Sequence, residues 1–194
     1  MTSIAHTIVV PVYGNEPNIP DLIDALDSLA ADIERLEVVV VVDGSPDRTM
    51  ELLNKALPTR PFASQLVAHS RNFGSFHAIR TGMKAARGDL IGVMAADLQE
   101  PPELMVQFFE TLAAGDVDVV FGERTSRADP GISRIPANLF WKVYRRFVVP
   151  DIPTTGVDVF ACNRAVADAV LGLEASNTSL VAQLFWVGFR RAFV

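Results

Sequence analysis

Glu37-Val38-Val39-Val40-Val41-Val42-Asp43 decides the architecture of this chain: five consecutive valines closed at each end by a carboxylate. The run has no polar alternation, so it predicts a strand buried on both faces, as in a parallel sheet covered by helices on each side. Shorter runs of the same character stand at Thr7–Tyr13, Gln65–His69, Leu90–Ala95, Val117–Phe121 and Val157–Ala161. Helical stripes separate them. Ile19, Leu22, Ile23, Leu26, Leu29 and Ile33 form one; Leu104, Phe108 and Leu112 form another; Phe76, Ile79, Met83 and Ala86 form a third. Ser45-Pro46 reads as a helix N-cap followed by proline at the first helical position. Strands alternating with helices predict a three-layer α/β/α domain with a mostly parallel sheet.

Composition bounds the rest. The 194 residues suffice for one domain that buries its own core, and 49% hydrophobic against 21% charged residues excludes a disordered or collagen-like chain. Seventeen Lys and Arg against 23 Asp and Glu give a net charge of −6, which argues against nonspecific nucleic-acid binding. The single cysteine, Cys162, excludes an internal disulfide and fits a reducing compartment. No uncharged apolar stretch reaches the eighteen or so residues of a membrane span. The start, Met1 to Tyr13, lacks a basic leader and runs directly into strand pattern. The mean hydropathy of +0.26 is nevertheless high, and predicts apolar surface that meets a membrane or a further part of the chain. The best candidate for a mobile loop is Ala128-Asp129-Pro130-Gly131.

In folds of this class, ligands collect at the carboxyl ends of the strands. Polar clusters stand there: Tyr13-Gly14-Asn15-Glu16, Asp43-Gly44-Ser45, Arg71-Asn72 and Asp97-Leu98-Gln99-Glu100. The dinucleotide fingerprint G-x-G-x-x-G does not follow the first strand, and neither a P-loop nor a G-x-S-x-G nucleophile elbow occurs in the chain. Four segments instead follow one another: VVPVYGNEPNI, VVVDGSPDRT, SRNFGSFHAIRTGMKAARGD and MAADLQEPPE. In that order and spacing they resemble the inverting family 2 glycosyltransferases of nucleotide-diphospho-sugar transferase (GT-A) fold. With TTGVDVFACNR, they are most similar to the dolichyl- and undecaprenyl-phosphate sugar transferases. The resemblance covers nearly the whole chain. It implies a single catalytic domain over residues 1–194, continued in the family by a C-terminal segment that often includes membrane helices.

The resemblance assigns nucleotide contacts to Pro11, Tyr13, Glu16, Asp43 and Arg71. Asn15 stands where the family has glutamate, and Val42 where it has the first of two aspartates. Asp43 at a strand end suits hydrogen bonding to a base or ribose; it also suits a turn aspartate capping the next helix. Arg71 and Asn72 precede Gly74, which admits close backbone approach. Arg71 equally suits pairing with an acidic neighbour. Asp97 and Gln99 match the family's metal segment, although Ala95 replaces its first aspartate. Magnesium is often held by one or two carboxylates together with substrate phosphates, so Asp97 with Gln99 implies Mg²⁺ or Mn²⁺ at the diphosphate. The alternative for Asp97 is a helix cap near Pro101. His77 suits a helix face better than catalysis, and His6 and His69 belong to no motif.

Residues after Phe121 concern the acceptor. Arg124, Arg134 and Asn138 match positions that bind the lipid phosphate in polyprenyl-phosphate transferases, with Asn138 in place of serine. Residues 137–149 combine Lys142, Arg145 and Arg146 on one arc with Phe140, Trp141, Tyr144 and Phe147. That composition suits a membrane interface and also a helix packed on the sheet. Asp158 matches an aspartate placed beside the reacting centre, as a base or as an orienting group. A plain turn residue is the alternative. The expectation is a hexosyltransferase acting at the inner, cytoplasmic face of the plasma membrane, on a nucleotide-diphosphate sugar (UDP-sugar favoured) and a polyprenyl phosphate. Sugar transfer to a saccharide or glycolipid hydroxyl, and nucleotide-sugar binding without turnover, are the alternatives.

Overall fold

The structure is a computed structural model and describes residues 4–122, 159–173 and 179–194. Seven strands form one sheet: β1 (His6–Val12), β2 (Leu36–Val42), β3 (Ala63–Ala68), β4 (Leu90–Val93), β5 (Val119–Phe121), β6 (Phe160–Asn163) and β7 (Arg191–Phe193). Their order is β3-β2-β1-β4-β6-β5-β7. Among these strands only β6 runs against the rest, pairing antiparallel with both β4 and β5. The helices are α1 (Ile19–Asp32), α2 (Thr49–Ala56), α3 (Ser75–Ala85), α4 (Leu104–Ala113), α5 (Arg164–Leu171) and α6 (Leu180–Trp186).

The valine run behaves as its pattern requires, since every residue of β2 is buried. Val38, Val40 and Val42 face one side with α1, α2 and α4, in a core containing Leu22, Leu26, Leu53 and Phe108. Val39 and Val41 face the other, with Met83 of α3, Val166 and Val170 of α5 and Leu184 of α6. Each such valine, taken wholly out of water, contributes on the order of 2 kcal/mol. Three layers result, as expected.

Several local expectations need correction. α2 begins at Thr49, so Ser45-Pro46 is a turn ahead of it rather than its cap. Phe76 does not continue the α3 stripe: it is 43% exposed, while Ile79 and Met83 are buried. The strand expected at Val157–Ala161 is β6, Phe160–Asn163, with positions 157 and 158 outside the described residues. β7 and helices α5 and α6 were not foreseen.

The amino-terminal ends of the strands are closed by a buried carboxylate. Glu37 is fully buried and accepts hydrogen bonds from Thr7 Oγ1 (2.9 Å), Gln65 Nε2 (3.0 Å), Arg87 N (2.9 Å) and Arg87 Nε (2.6 Å). Burial opposes its ionisation, but these donors, led by the Arg87 backbone, outweigh burial and hold its carboxyl below the usual range. Thr7 Oγ1 in turn accepts from Gly88 N at 2.9 Å, joining β1, β2, β3 and the approach to β4.

Candidate active site

At the opposite end the register brings the predicted residues together. β1 and β2 pair from His6↔Leu36 to Val12↔Val42, so Tyr13 and Asp43 leave the sheet side by side. The pairing Val42↔Ala68 puts His69 next in line. β4 ends earlier, and Ala95–Asp97 turn across the ends of the longer strands. Pro11, Tyr13, Asp43 and Asp97 all line one cleft of about 410 Å³, with Asn72 and Ala95 among the other walls.

Asp43 is 3% exposed. Its Oδ1 accepts from Phe73 N (2.9 Å) and faces His69 Nδ1 (2.8 Å), while Oδ2 accepts from Gly74 N (2.7 Å). Burial raises its pKa, but the Phe73, His69 and Gly74 hydrogen bonds prevail and hold it below the ordinary value. Asp43 therefore organises the loop that leads into α3, not the helix that follows it in sequence. Gly44 makes this close approach feasible: with φ at +64° it lies against the backbone of Arg71 and Asn72, where a Cβ would collide.

The helix after Asp43 is organised by Asp47 instead. Its Oδ1 accepts from Thr49 N (3.1 Å) and Ser45 Oγ (2.6 Å), and its Oδ2 from Glu16 N (3.1 Å). Burial opposes this too, yet the donors hold the Asp47 carboxyl far below the usual range. Ser45 Oγ also accepts from Gly14 N at 2.9 Å, tying the loop after β1 to the loop after β2.

Glu16 and Arg71 do not line the cleft. Glu16 pairs with Arg48, Oε1 accepting from Nε at 2.9 Å and Nη2 at 2.6 Å and Oε2 from the Arg48 backbone N at 3.0 Å, so its carboxylate closes the loop ahead of α2. Arg71 lies with its guanidinium 3.9 Å over the Phe73 ring and donates to Asn72 O. A ring and a carbonyl are its neighbours among the described residues, where the acidic partner of the alternative reading does not occur. His77 of α3 lines a separate cavity of about 560 Å³ on the far side of His69, together with Phe73, Thr81 and Lys84.

Asp97 is exposed, and its Oδ1 is 3.4 Å from Gln99 N, a long contact that leaves the carboxylate accessible. Leu98 beside it has φ of +53°, an uncommon conformation for a branched residue that turns the chain sharply at the cleft. Gln99 lies next to the cleft but does not line it. Among the described residues no three His, Cys, Asp or Glu side chains converge as a metal cage. One accessible carboxylate in a cleft still fits a divalent ion whose other ligands are phosphate oxygens and water. Arg124, Arg134, Asn138 and Asp158, the 128–131 loop and the helix expected at 137–149 lie outside the described residues.

His69 is the residue missed by motif reasoning. Its two ring nitrogens bridge Asp43 and Thr81 Oγ1, the latter at 2.9 Å. Only the register of β2 with β3 reveals this, since 26 positions separate it from Asp43.

A cleft at the carboxyl ends of a mostly parallel sheet, with an aspartate at the end of β2 and another after β4, defines a nucleotide-diphospho-sugar transferase (GT-A) fold. The solved mannosyltransferase of Pyrobaculum calidifontis, in complex with GDP-Man and Mn²⁺, superposes with a TM-score of 0.70 at 22% identity, over 100% of this chain and 55% of that one. Glucosyl-3-phosphoglycerate synthase of Mycobacterium tuberculosis, with Mn²⁺, UDP and glucosyl-3-phosphoglycerate, gives 0.66 at 17% identity, over 98% and 70%. The chain belongs to glycosyl transferase family 2, whose model matches residues 7–171. An uncharacterized glycosyltransferase of Bacillus subtilis (strain 168), YkcC, is 34% identical over 98% of this chain and 59% of its own length. The undecaprenyl-phosphate 4-deoxy-4-formamido-L-arabinose transferase of Pseudomonas aeruginosa (strain LESB58) is 34% identical over 89% of this chain. The chain spans 51% of that relative, so about half its length. No helix among the described residues is long and apolar enough to cross a membrane.

Proposed function

We propose that residues 1–194 form the catalytic domain of an inverting hexosyltransferase that moves one sugar from a nucleotide diphosphate to a polyprenyl phosphate. The observation that carries this reading is the gathering of Tyr13, Asp43 and Asp97 into one cleft at the strand ends. The identity with a relative named for undecaprenyl phosphate supports the acceptor. Tyr13, half exposed, offers a ring to the nucleobase, and Asp43 offers a fixed acceptor to a base or ribose donor. Asp97 is the residue that holds Mg²⁺ or Mn²⁺, with Gln99 adjoining. When bound, the cation neutralises charge growing on the diphosphate leaving group.

The acceptor side rests on Arg124, Arg134 and Asn138, which ligate the lipid phosphate in this reading. A phosphate monoester has a second pKa of about 6, so its oxygen is already anionic near neutrality. It attacks the anomeric carbon from the face opposite the diphosphate, the carbon–oxygen bond to the donor breaks, and configuration inverts in one step. Asp158 then orients sugar or acceptor, with no proton to remove. The basic and aromatic residues of 137–149 hold the domain at the inner face of the plasma membrane.

Ala95 on the cleft wall favours a second reading, binding without turnover, because the family's first metal aspartate is replaced there. Calorimetry with UDP and GDP in the presence of Mn²⁺, followed by a transfer assay to undecaprenyl phosphate, separates the two. Micromolar binding with sugar–lipid product supports the transferase. Binding with no product over a panel of donor sugars supports the second reading, and product only with a hydroxyl acceptor moves the reaction to saccharide or glycolipid synthesis.

A further inference from the structure

We infer that His69 is a positioning residue of the donor cleft, holding the Asp43 carboxylate in one orientation so that a single acceptor site on Oδ2 is left for the nucleoside. This rests on the reading of the cleft as a nucleotide site. The carboxylate offers about four lone-pair positions. Three are occupied within the protein: two on Oδ1, by Phe73 N and His69 Nδ1, and one on Oδ2, by Gly74 N. The remaining position belongs to Oδ2, and Asp43 lines the cleft.

The ionised carboxylate accepts only, so Nδ1 of His69 carries the proton it donates. Nε2 then accepts from the Thr81 hydroxyl at 2.9 Å, which pins the far side of the ring to α3. The Phe73 ring meets the imidazole edge-on at a centroid distance of 5.4 Å, completing its confinement. The His69 side chain is only 13% exposed, so water does not replace these contacts readily. β3 and α3 thereby act together on an aspartate that belongs to β2. Without the imidazole, Phe73 N and Gly74 N still hold one donor on each oxygen, but the second position on Oδ1 is vacated, so the carboxylate is held less rigidly and the nucleoside no longer meets a single remaining acceptor position.

The test compares His69→Leu, His69→Asn and Thr81→Val with the unchanged chain, measuring UDP and GDP affinity with Mn²⁺ by calorimetry and folding by far-UV circular dichroism. Asparagine keeps a donor near the position of Nδ1; leucine keeps the bulk alone. His69→Leu is expected to weaken the better nucleotide about tenfold, or ~1.4 kcal/mol, while His69→Asn stays within about threefold of the unchanged chain. A fall without rescue by asparagine, or no fall at all, overturns the assignment. Should the leucine variant fail to fold, Thr81→Val decides: weakening of about twofold or more supports the relay, and unchanged affinity overturns it. If the unchanged chain binds neither nucleotide, the donor reading itself fails and the role of His69 falls with it. Nucleotide binding that is indifferent to all three variants removes the His69 inference alone.

Discussion

Replacing Asp43 by asparagine tests how far the cleft is built on one carboxylate. Three donors surround it: Phe73 N and His69 on Oδ1, and Gly74 N on Oδ2. The amide of Asp43→Asn has one acceptor and one donor end. Turned one way, its NH₂ opposes Gly74 N; turned the other, it opposes both Phe73 N and His69. The first arrangement is the cheaper, and it still loses a charge-assisted hydrogen bond and leaves a buried N–H unpaired. Such losses amount to about 2–3 kcal/mol. The sign of the pH dependence follows from the lowered native pKa of Asp43. Its contribution is complete above the unfolded value of 3.8 and is lost as pH falls through the lower folded value. Urea unfolding at pH 7, 5 and 3.5, followed by circular dichroism, is the assay. The gap between the two proteins should be full at pH 7 and 5 and begin to close at pH 3.5. A gap below about 0.5 kcal/mol at pH 7, or one that widens on acidification, refutes the reasoning.

Asp97→Ala is expected to abolish transfer with a stability change within about 0.5 kcal/mol, since the side chain is exposed and weakly bonded; Ala95→Asp should tighten Mn²⁺ binding measured by calorimetry. Retained transfer by Asp97→Ala would sink the metal assignment. Arg124→Ala and Arg134→Ala should each raise the KM for lipid acceptor by an amount equivalent to about 1.5–3 kcal/mol, with nucleotide affinity unchanged. Equal loss of donor and acceptor binding relocates these arginines to the diphosphate. Replacing Lys142, Arg145 and Arg146 with glutamine should remove most sedimentation with anionic liposomes at low salt, each basic residue contributing on the order of 1 kcal/mol. An unchanged bound fraction removes that segment from the membrane.

Local pattern and non-local pairing divide what was legible in the chain. The valine run declared a doubly buried strand because five successive positions carry no polar residue and so show no alternation between faces, a property visible within seven residues. Asp43 and Asp97 were legible for a related reason: a carboxylate directly after such a run, or inside a family motif, falls at a strand end. β6 was legible only with shifted bounds, and β7 was not, since Arg191-Ala192-Phe193 has no apolar run and is a strand only through its pairing with β5. Ser45 and Asp47 both have cap chemistry, and only the observed start of α2 at Thr49 decides that Asp47 closes the turn. Glu16 was assigned to nucleotide because its motif neighbours are, whereas its partner Arg48 lies 32 positions away. His69 acquires its meaning from a strand register no motif encodes.

The buried Glu37 and the cleft-lining Asp43 stand at opposite poles of the same strand. Six residues of extended chain separate them, or about 20 Å at roughly 3.3 Å per residue. The Debye length at physiological salt, about 8 Å, applies to charges facing water and not to a path through the packed core, so distance is what separates the two poles. Under the proposed function, a charged donor and a cation at one pole act on the other only across that distance, over which a Coulomb interaction is much weaker than at contact. The carboxylate that clasps three strands and Arg87 is governed by its own contact partners, donors at 2.6–3.0 Å. Charge brought to the cleft in that reading falls first on the loops that line it, and the strand frame carries a charge balance of its own.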